Sequence, residues 1–243
     1  MTQRLRLLLC VMIALNAPPI VAETAQPPAF DGTPPGPPPV GWVHTQINAD
    51  ETPTGFSVVS DAGRSVLQAA SDDAASSLIH TLATPVSPDH RLHWQWKISN
   101  AVPDSSMADK ATDDYAARVY VFFDYDRNKL SWAQRTKMDL AQRFWGADLP
   151  TAALCYVWGT KDAVGTIGPN PYTDRVRMVV LQSGEARAGR WVSEDRDLAA
   201  DFKAAFGEDA PPVTGIALAA DTDNTGAKVQ ARFADIRFET PAR

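Results

Sequence analysis

"LHWQWKIS", residues 92–99, alternates without a fault. Leu92, Trp94, Trp96 and Ile98 fall on one side; His93, Gln95 and Lys97 fall on the other. A period of two is the period of a strand, because successive side chains point to opposite faces; a helix would scatter these residues around its axis. Large apolar groups on one face and polar groups on the other describe a sheet with one side against a core and one toward water.

The same logic extends outward. "TGFSVVSDAGRSVLQAAS" holds two apolar runs around Asp61-Ala62-Gly63, a hairpin signal. "ARVYVFFD", "ALCYVWG", "VRMVVLQSG", "VTGIALAAD" and "VQARFADIRF" are rich in Val, Ile, Tyr and Phe and are bounded by turn residues. Two stretches break the pattern. Ser131 to Trp145 reads as a helix with Ser131 as its cap, and Asp197 to Phe206 as a short helix ending at Gly207. The expected fold is all-β: a two-sheet antiparallel, jelly-roll-like sandwich with two short helical insertions.

The N-terminus stands outside that pattern. Arg4 and Arg6 precede the short apolar run "LLLCVMIALNA", and small residues follow, the order of a secretory signal peptide over 1–22. The run is too short to span a bilayer, which takes about 20 residues, and no later stretch is long enough. Residues 23–40 are rich in proline and read as an extended linker, leaving 41–240 as a single domain. The expected location is therefore periplasmic or secreted. With Cys10 in the leader, only Cys155 remains, so no internal disulfide forms and the core must hold the fold. A net charge of −6 without a basic tract excludes nucleic acid as a partner.

Several stretches together, "DDYAARVYVFFD", "YVWG", "NPYTDR", "LQSG" and "GIALAADTDNTG", resemble the secreted bacterial proteins of the domain-of-unknown-function family 3047, from about Gly41 to Phe238. The family brings no established activity. The strand order more distantly resembles galactose-binding-like jelly rolls, which implies sugar binding by fold analogy alone.

Four clusters carry candidate chemistry. The first is "DTDNTG", residues 221–226. Asp221, Asp223 and Gly226 fit positions 1, 3 and 6 of an EF-hand loop, but position 12 is Arg232 and a strand follows, so that motif is rejected. The stretch reads as an exposed antiparallel turn joining the last two strands, Asp and Asn bonding their own backbone; calcium on Asp221 and Asp223 with ligands from other loops stays open. If Asp221 points to the rim it meets "TDDY", and the carboxylates repel unless a cation or arginine lies between them.

The second cluster places Asp113 and Asp114 before a strand and Asp124 after it, with Arg118 and Tyr120 on one strand face. Arginine offers a planar fork for carboxylate or phosphate, and tyrosine a flat face for a sugar ring. The plainer reading pairs Arg118 with Asp114 or a neighbouring carboxylate to staple the sheet edge. Arg175 and Arg177 share a face of the third cluster; beside Arg118 they would line a groove for an acidic ligand. The fourth holds Glu194, Arg196 and Asp201, with Glu194 and Arg196 as a candidate ion pair. Trp158 and Tyr156 are read either as core or as a sugar-stacking platform. His44, His80, His90 and His93 lack ligand spacing for zinc, and Ser183 lacks a nucleophile elbow.

These residues point to non-catalytic binding of a polar small molecule or glycan, saccharide or acidic glycan, through Arg118, Tyr120, Trp158, Arg175 and Arg177. One alternative is a glycan-acting hydrolase or lyase using Asp113, Asp114, Asp124 and Glu194, which needs two carboxyls facing across a cleft roughly 5–10 Å wide. Another is an envelope structural or interaction protein.

Overall fold

The computed structural model describes residues 26–46, 48, 50–132, 135–136 and 151–240. The residues read as a signal peptide, and most of the helix expected over 131–145, lie outside these. Twelve strands run in chain order: β1 Val43–Thr45, β2 Gly55–Asp61, β3 Arg64–Asp72, β4 Ser77–Val86, β5 Arg91–Ile98, β6 Tyr115–Phe123, β7 Ala152–Gly159, β8 Ile167–Asn170, β9 Thr173–Ser183, β10 Val192–Asp197, β11 Val213–Asp221 and β12 Lys228–Glu239. A helix, α1, spans Leu198–Phe206. The strands form two sheets packed as a sandwich, in the orders β1-β4-β11-β6-β7-β9-β8 and β10-β5-β12-β3-β2. Every pairing is antiparallel except that of β7 with β9, which is parallel. None of the described helices is long and apolar enough to cross a membrane.

β5 shows why the sheets meet. Its Leu92, Trp94, Trp96 and Ile98 are all buried, and the residues between them are half-exposed. Trp94 packs against Trp96 and Tyr156 with ring centroids 5.5 and 5.2 Å away, and Trp96 meets Trp158 at 5.8 Å. Aromatic pairs at these separations add to the free energy of burial, and truncating one such ring to alanine costs about 3–5 kcal/mol. All eight residues of β7 are buried, so the larger sheet is covered on both sides. Its outward side carries a second apolar cluster, Tyr115, Cys155, Val157, Met178 and Val180. Burial pushes the Cys155 thiol up to about 12, which keeps it protonated and inert.

Two local expectations are met. Ala62 and Gly63 both take positive φ, 52° and 82°, as a two-residue turn matched to strand twist requires between β2 and β3. Asp197 caps α1 by accepting from Ala200 N at 2.9 Å, and Gly207 ends it at φ 79°.

The turn expected between the last two strands is different. β11 belongs to the seven-stranded sheet and β12 to the five-stranded one, so "DTDNTG" crosses from sheet to sheet instead of closing a hairpin. The alternation was read correctly: Ile216, Leu218, Ala220, Val229, Ala231 and Phe233 all line the core. Alternation shows which face is buried but not which sheet carries the strand, and facing sheets bury the same parity. The crossing is tied to a second one at residues 73–76, through Thr222 N to Ala74 O and Asp73 N to Ala227 O. Residues 26–42 lie against the sandwich: Gln26 exchanges two hydrogen bonds with the Phe238 backbone, Phe30 stacks on Trp42 at 5.2 Å, and Gly36 bridges to Val58.

Candidate functional site

The crossing brings Asp221 to the start of β6, and there the sequence clusters converge. Arg118, 2% exposed at its side chain, sits on the outward side of β6. It donates through Nε to Asp221 Oδ1 at 2.8 Å and through Nη2 to Asp221 Oδ2 at 2.5 Å. Nη1 faces Asp113 Oδ1 at 3.4 Å, and Nη2 also reaches the Asp113 carbonyl. Tyr115 N adds a third donor to Asp221. Its ring lies under the guanidinium at 4.5 Å. Burial pushes the Asp221 carboxyl up to about 7, against the pull of Arg118. Arg118 itself stays charged because Asp113 and Asp221 outweigh its own desolvation.

Asp114 performs a different task. Fully buried, it accepts from Asn224 N, from Thr225 N at 2.7 Å and from Thr225 Oγ1 at 2.6 Å. It therefore clamps the crossing from below. The carboxylate oxygens of Asp114, Asp221 and Asp223 come within 4.8 Å of one another, close enough to share a cation. Arg118 already supplies the counter-charge, and the Asp114 oxygens are aimed at N–H and O–H donors. Burial and the Asp114 charge raise the pKa of Asp223.

Above this buried network lies an open one. Asn170 donates to Asp113 Oδ2 at 2.9 Å and accepts from Tyr172 N at 3.0 Å, shaping the turn between β8 and β9. The turn holds out the Tyr172 ring, 55% exposed, with Lys110 Nζ 4.8 Å from its centroid. Partial burial, then the Asp113 and Asp223 charges, raise the pKa of the Tyr172 hydroxyl, while the Asn224 side chain works the other way. Tyr172, Lys110 and Asn170 were not singled out from sequence. The signal was present in "NPYTDR", where an Asn-Pro turn presents an aromatic side chain.

The remaining candidates are dispersed. Arg118, Val157 and Val180 share the outward face of the large sheet, whereas Arg177, Leu154 and Val121 share the inward one. Arg118 and the Arg175–Arg177 pair thus lie on opposite faces, and the expected three-arginine groove does not form. β6 and β9 are separated by β7 and their register sets opposite parity, which residue spacing within either strand cannot reveal. Tyr120 is half-buried on the outward face with Phe122, ring centroids 6.2 Å apart. Trp158, 1% exposed, is core and donates its indole N–H to Gly184 O, so it is no stacking platform. Asp124 is exposed at the far end of β6 from Asp113. Glu194 is on β10 in the other sheet, where it accepts from Trp96 Nε1 and Gln182 Nε2; burial raises its pKa. Arg196 pairs with Asp201 in a fork, not with Glu194, and Asp201 also accepts from the Tyr156 hydroxyl at 2.7 Å.

Among solved structures, the chain is similar to the xyloglucanase domain of NopAA from Sinorhizobium fredii, in complex with cellobiose. That likeness has 8% identity and a TM-score of 0.40, covering 81% of this chain and 92% of that one. The family 12 xyloglucanase from Bacillus licheniformis is similar at 12% identity and a TM-score of 0.37, over 84% and 88% of the two chains. An exo-β-agarase is similar at 12% identity and a TM-score of 0.33, over 85% of this chain and 24% of that one. No curated protein matches the sequence. The model of the family of unknown function DUF3047 matches residues 40–237, and the chain belongs to that family.

Proposed function

We propose that this is an exported, non-catalytic saccharide-binding protein, and that the loop end around Tyr172 is its binding surface. One observation carries the reading: an exposed aromatic ring is held beside the half-buried Asp223 and the exposed Asn224, on loops braced by the Arg118 network. A tyrosine face stacks on the C–H side of a sugar ring, and carboxylate and amide groups accept and donate to hydroxyls. Four carboxylates, Asp113, Asp114, Asp221 and Asp223, face two cations, Arg118 and Lys110, which favours a neutral saccharide over an acidic one at this end. Hydrolysis needs two carboxyls free to act on substrate; here Asp113, Asp114 and Asp221 are taken by internal donors, and Asp124 and Glu194 lie elsewhere.

A glycan array followed by calorimetry tests this. A neutral oligosaccharide is expected to bind, with Tyr172→Ala weakening it about tenfold, or roughly 1.4 kcal/mol. Asn224→Ala is expected to weaken it less. No bound glycan, or a Tyr172→Ala variant that binds as tightly as the parent, sinks the reading.

A further inference from the structure

At the start of β9, just past Tyr172, Arg175 and Arg177 lie two residues apart on the inward side of the large sheet, roughly 6.5 Å apart along the strand. The same parity continues into Val179 and Leu181, both core residues. An inward strand face that opens with two guanidinium groups calls for counter-charge. Among the described residues neither arginine forms an ion pair. The nearby Glu208 carboxylate accepts from the Tyr125 hydroxyl at 2.8 Å and faces Lys129 at 3.9 Å.

The two groups are nevertheless held in place. Arg175 donates through Nε to Thr151 O at 2.8 Å. Its guanidinium carbon lies 4.3 Å from the Tyr125 ring centroid and 5.2 Å from that of Phe206; that of Arg177 lies 5.6 Å from Phe206. Stacking on rings fixes the planes of the forks and leaves their edges free. Arg175 Nη2 and Arg177 Nε are buried and have no hydrogen-bond partner. Buried charged donors without an acceptor are costly, and like charges so close repel, so the arrangement is incomplete as it stands. Each side chain as a whole is half-buried, so part of each guanidinium edge stays open to solvent.

We propose that Arg175 and Arg177 form a binding site for a doubly charged oxyanion, a phosphate group, free or as a monoester. Two fixed forks supply donors to several oxygens and match a charge of two, which a single carboxylate does not. The site is separate from the Tyr172 loop end and does not depend on the saccharide reading.

The test is thermal unfolding and calorimetry of the mature chain with inorganic phosphate, glycerol phosphate, sulfate and acetate at constant ionic strength. Phosphate should raise the melting midpoint in step with its concentration, as a ligand of the folded state alone does, and acetate should not. A larger response to glycerol phosphate than to inorganic phosphate assigns the source to a monoester; the reverse assigns it to the free ion. Arg175→Gln with Arg177→Gln should abolish the response, and Tyr172→Ala should leave it intact. Should the double variant fail to fold, Arg177→Lys, which keeps charge but loses the fork, is expected to weaken phosphate at least tenfold. No phosphate response in the parent chain, or an equal response in either variant, overturns the proposal.

Discussion

The two ends of the seven-stranded sheet treat arginine in opposite ways. At one end Arg118 is buried, its donors spent on Asp113 and Asp221, and a carboxylate lies on either side of it. At the other, Arg175 and Arg177 rest on aromatic rings, each with a buried donor unspent and with no ion pair among the described residues. A saturated charge is a fastener: removing it harms the fold. An unsaturated charge contributes little to the fold and is available to a ligand. Residue type does not separate these roles, because the same side chain serves both; the count of satisfied donors does.

The largest expected effect comes from breaking the saturated end. Arg118→Met leaves Asp113 and Asp221 buried without their cation, which should cost about 3–5 kcal/mol in denaturant unfolding. Adding Asp221→Asn should return part of that loss, since it removes one of the stranded charges. If Arg118→Met unfolds within 1 kcal/mol of the parent, the network is not a fastener and the comparison fails.

Next is the pH dependence of the same end. The folded-state pKa of Asp221, about 7, lies above the ordinary aspartate value of 3.8. The folded chain therefore holds this proton more tightly than the unfolded one. Its contribution is fully present below about 3.8 and is lost as pH rises through about 7. Asp61 acts in the reverse sense, because the hydrogen bond from Lys97 lowers its pKa, so the measurement must be a difference. Subtracting the stability of Asp221→Asn from that of the parent should give a value that falls between pH 4 and pH 8. A flat difference would show that Arg118 keeps Asp221 charged throughout.

Much of this was legible beforehand, and the division is instructive. Period-two alternation in β5, β6, β11 and β12 fixed the buried faces because burial is a property of single residues. β1, β4, β8 and β10 were missed. The outward side of β10 consists of Ser193, Asp195 and Asp197, since an edge strand facing water carries charge where a central strand carries Val or Ile. Pairwise facts were out of reach. Arg118 with Asp221 spans 103 residues, and its opposition to Arg177 rests on the register of β7 between them. That carboxylates meeting at the rim would need a positive charge between them followed from chemistry alone; that Asp221 does reach "TDDY", and that Arg118 supplies the charge, needed the fold.

A smaller effect is expected at the unsaturated end. Arg177→Met removes a cation that has no ion-pair partner among the described residues and leaves a side chain that can still pack on Phe206. It relieves repulsion with Arg175 and exposes no stranded charge. In phosphate-free buffer its unfolding free energy should stay within about 1 kcal/mol of the parent, or exceed it. A loss as large as that of Arg118→Met would mean that an acceptor for Arg177 exists within the fold and that the two ends are alike.

The smallest effect should be that of calcium on the parent chain, and it sharpens the comparison most. Asp114, Asp221 and Asp223 are close enough to share an ion, yet nearness is not a site. A cation there must displace Arg118 from Asp221 and approach Asp114 oxygens that already face the N–H groups of Asn224 and Thr225. Those hydrogens carry positive partial charge and repel it. Millimolar calcium should therefore leave the melting midpoint of the parent unchanged. In Arg118→Met the fastener is gone and the carboxylates lack counter-charge, so calcium should raise the midpoint with concentration and recover part of the lost stability. A clear shift in the parent would mean that arginine and metal cooperate at this end. No shift in either chain would mean that Asp114 is committed to the crossing whether or not Arg118 is present.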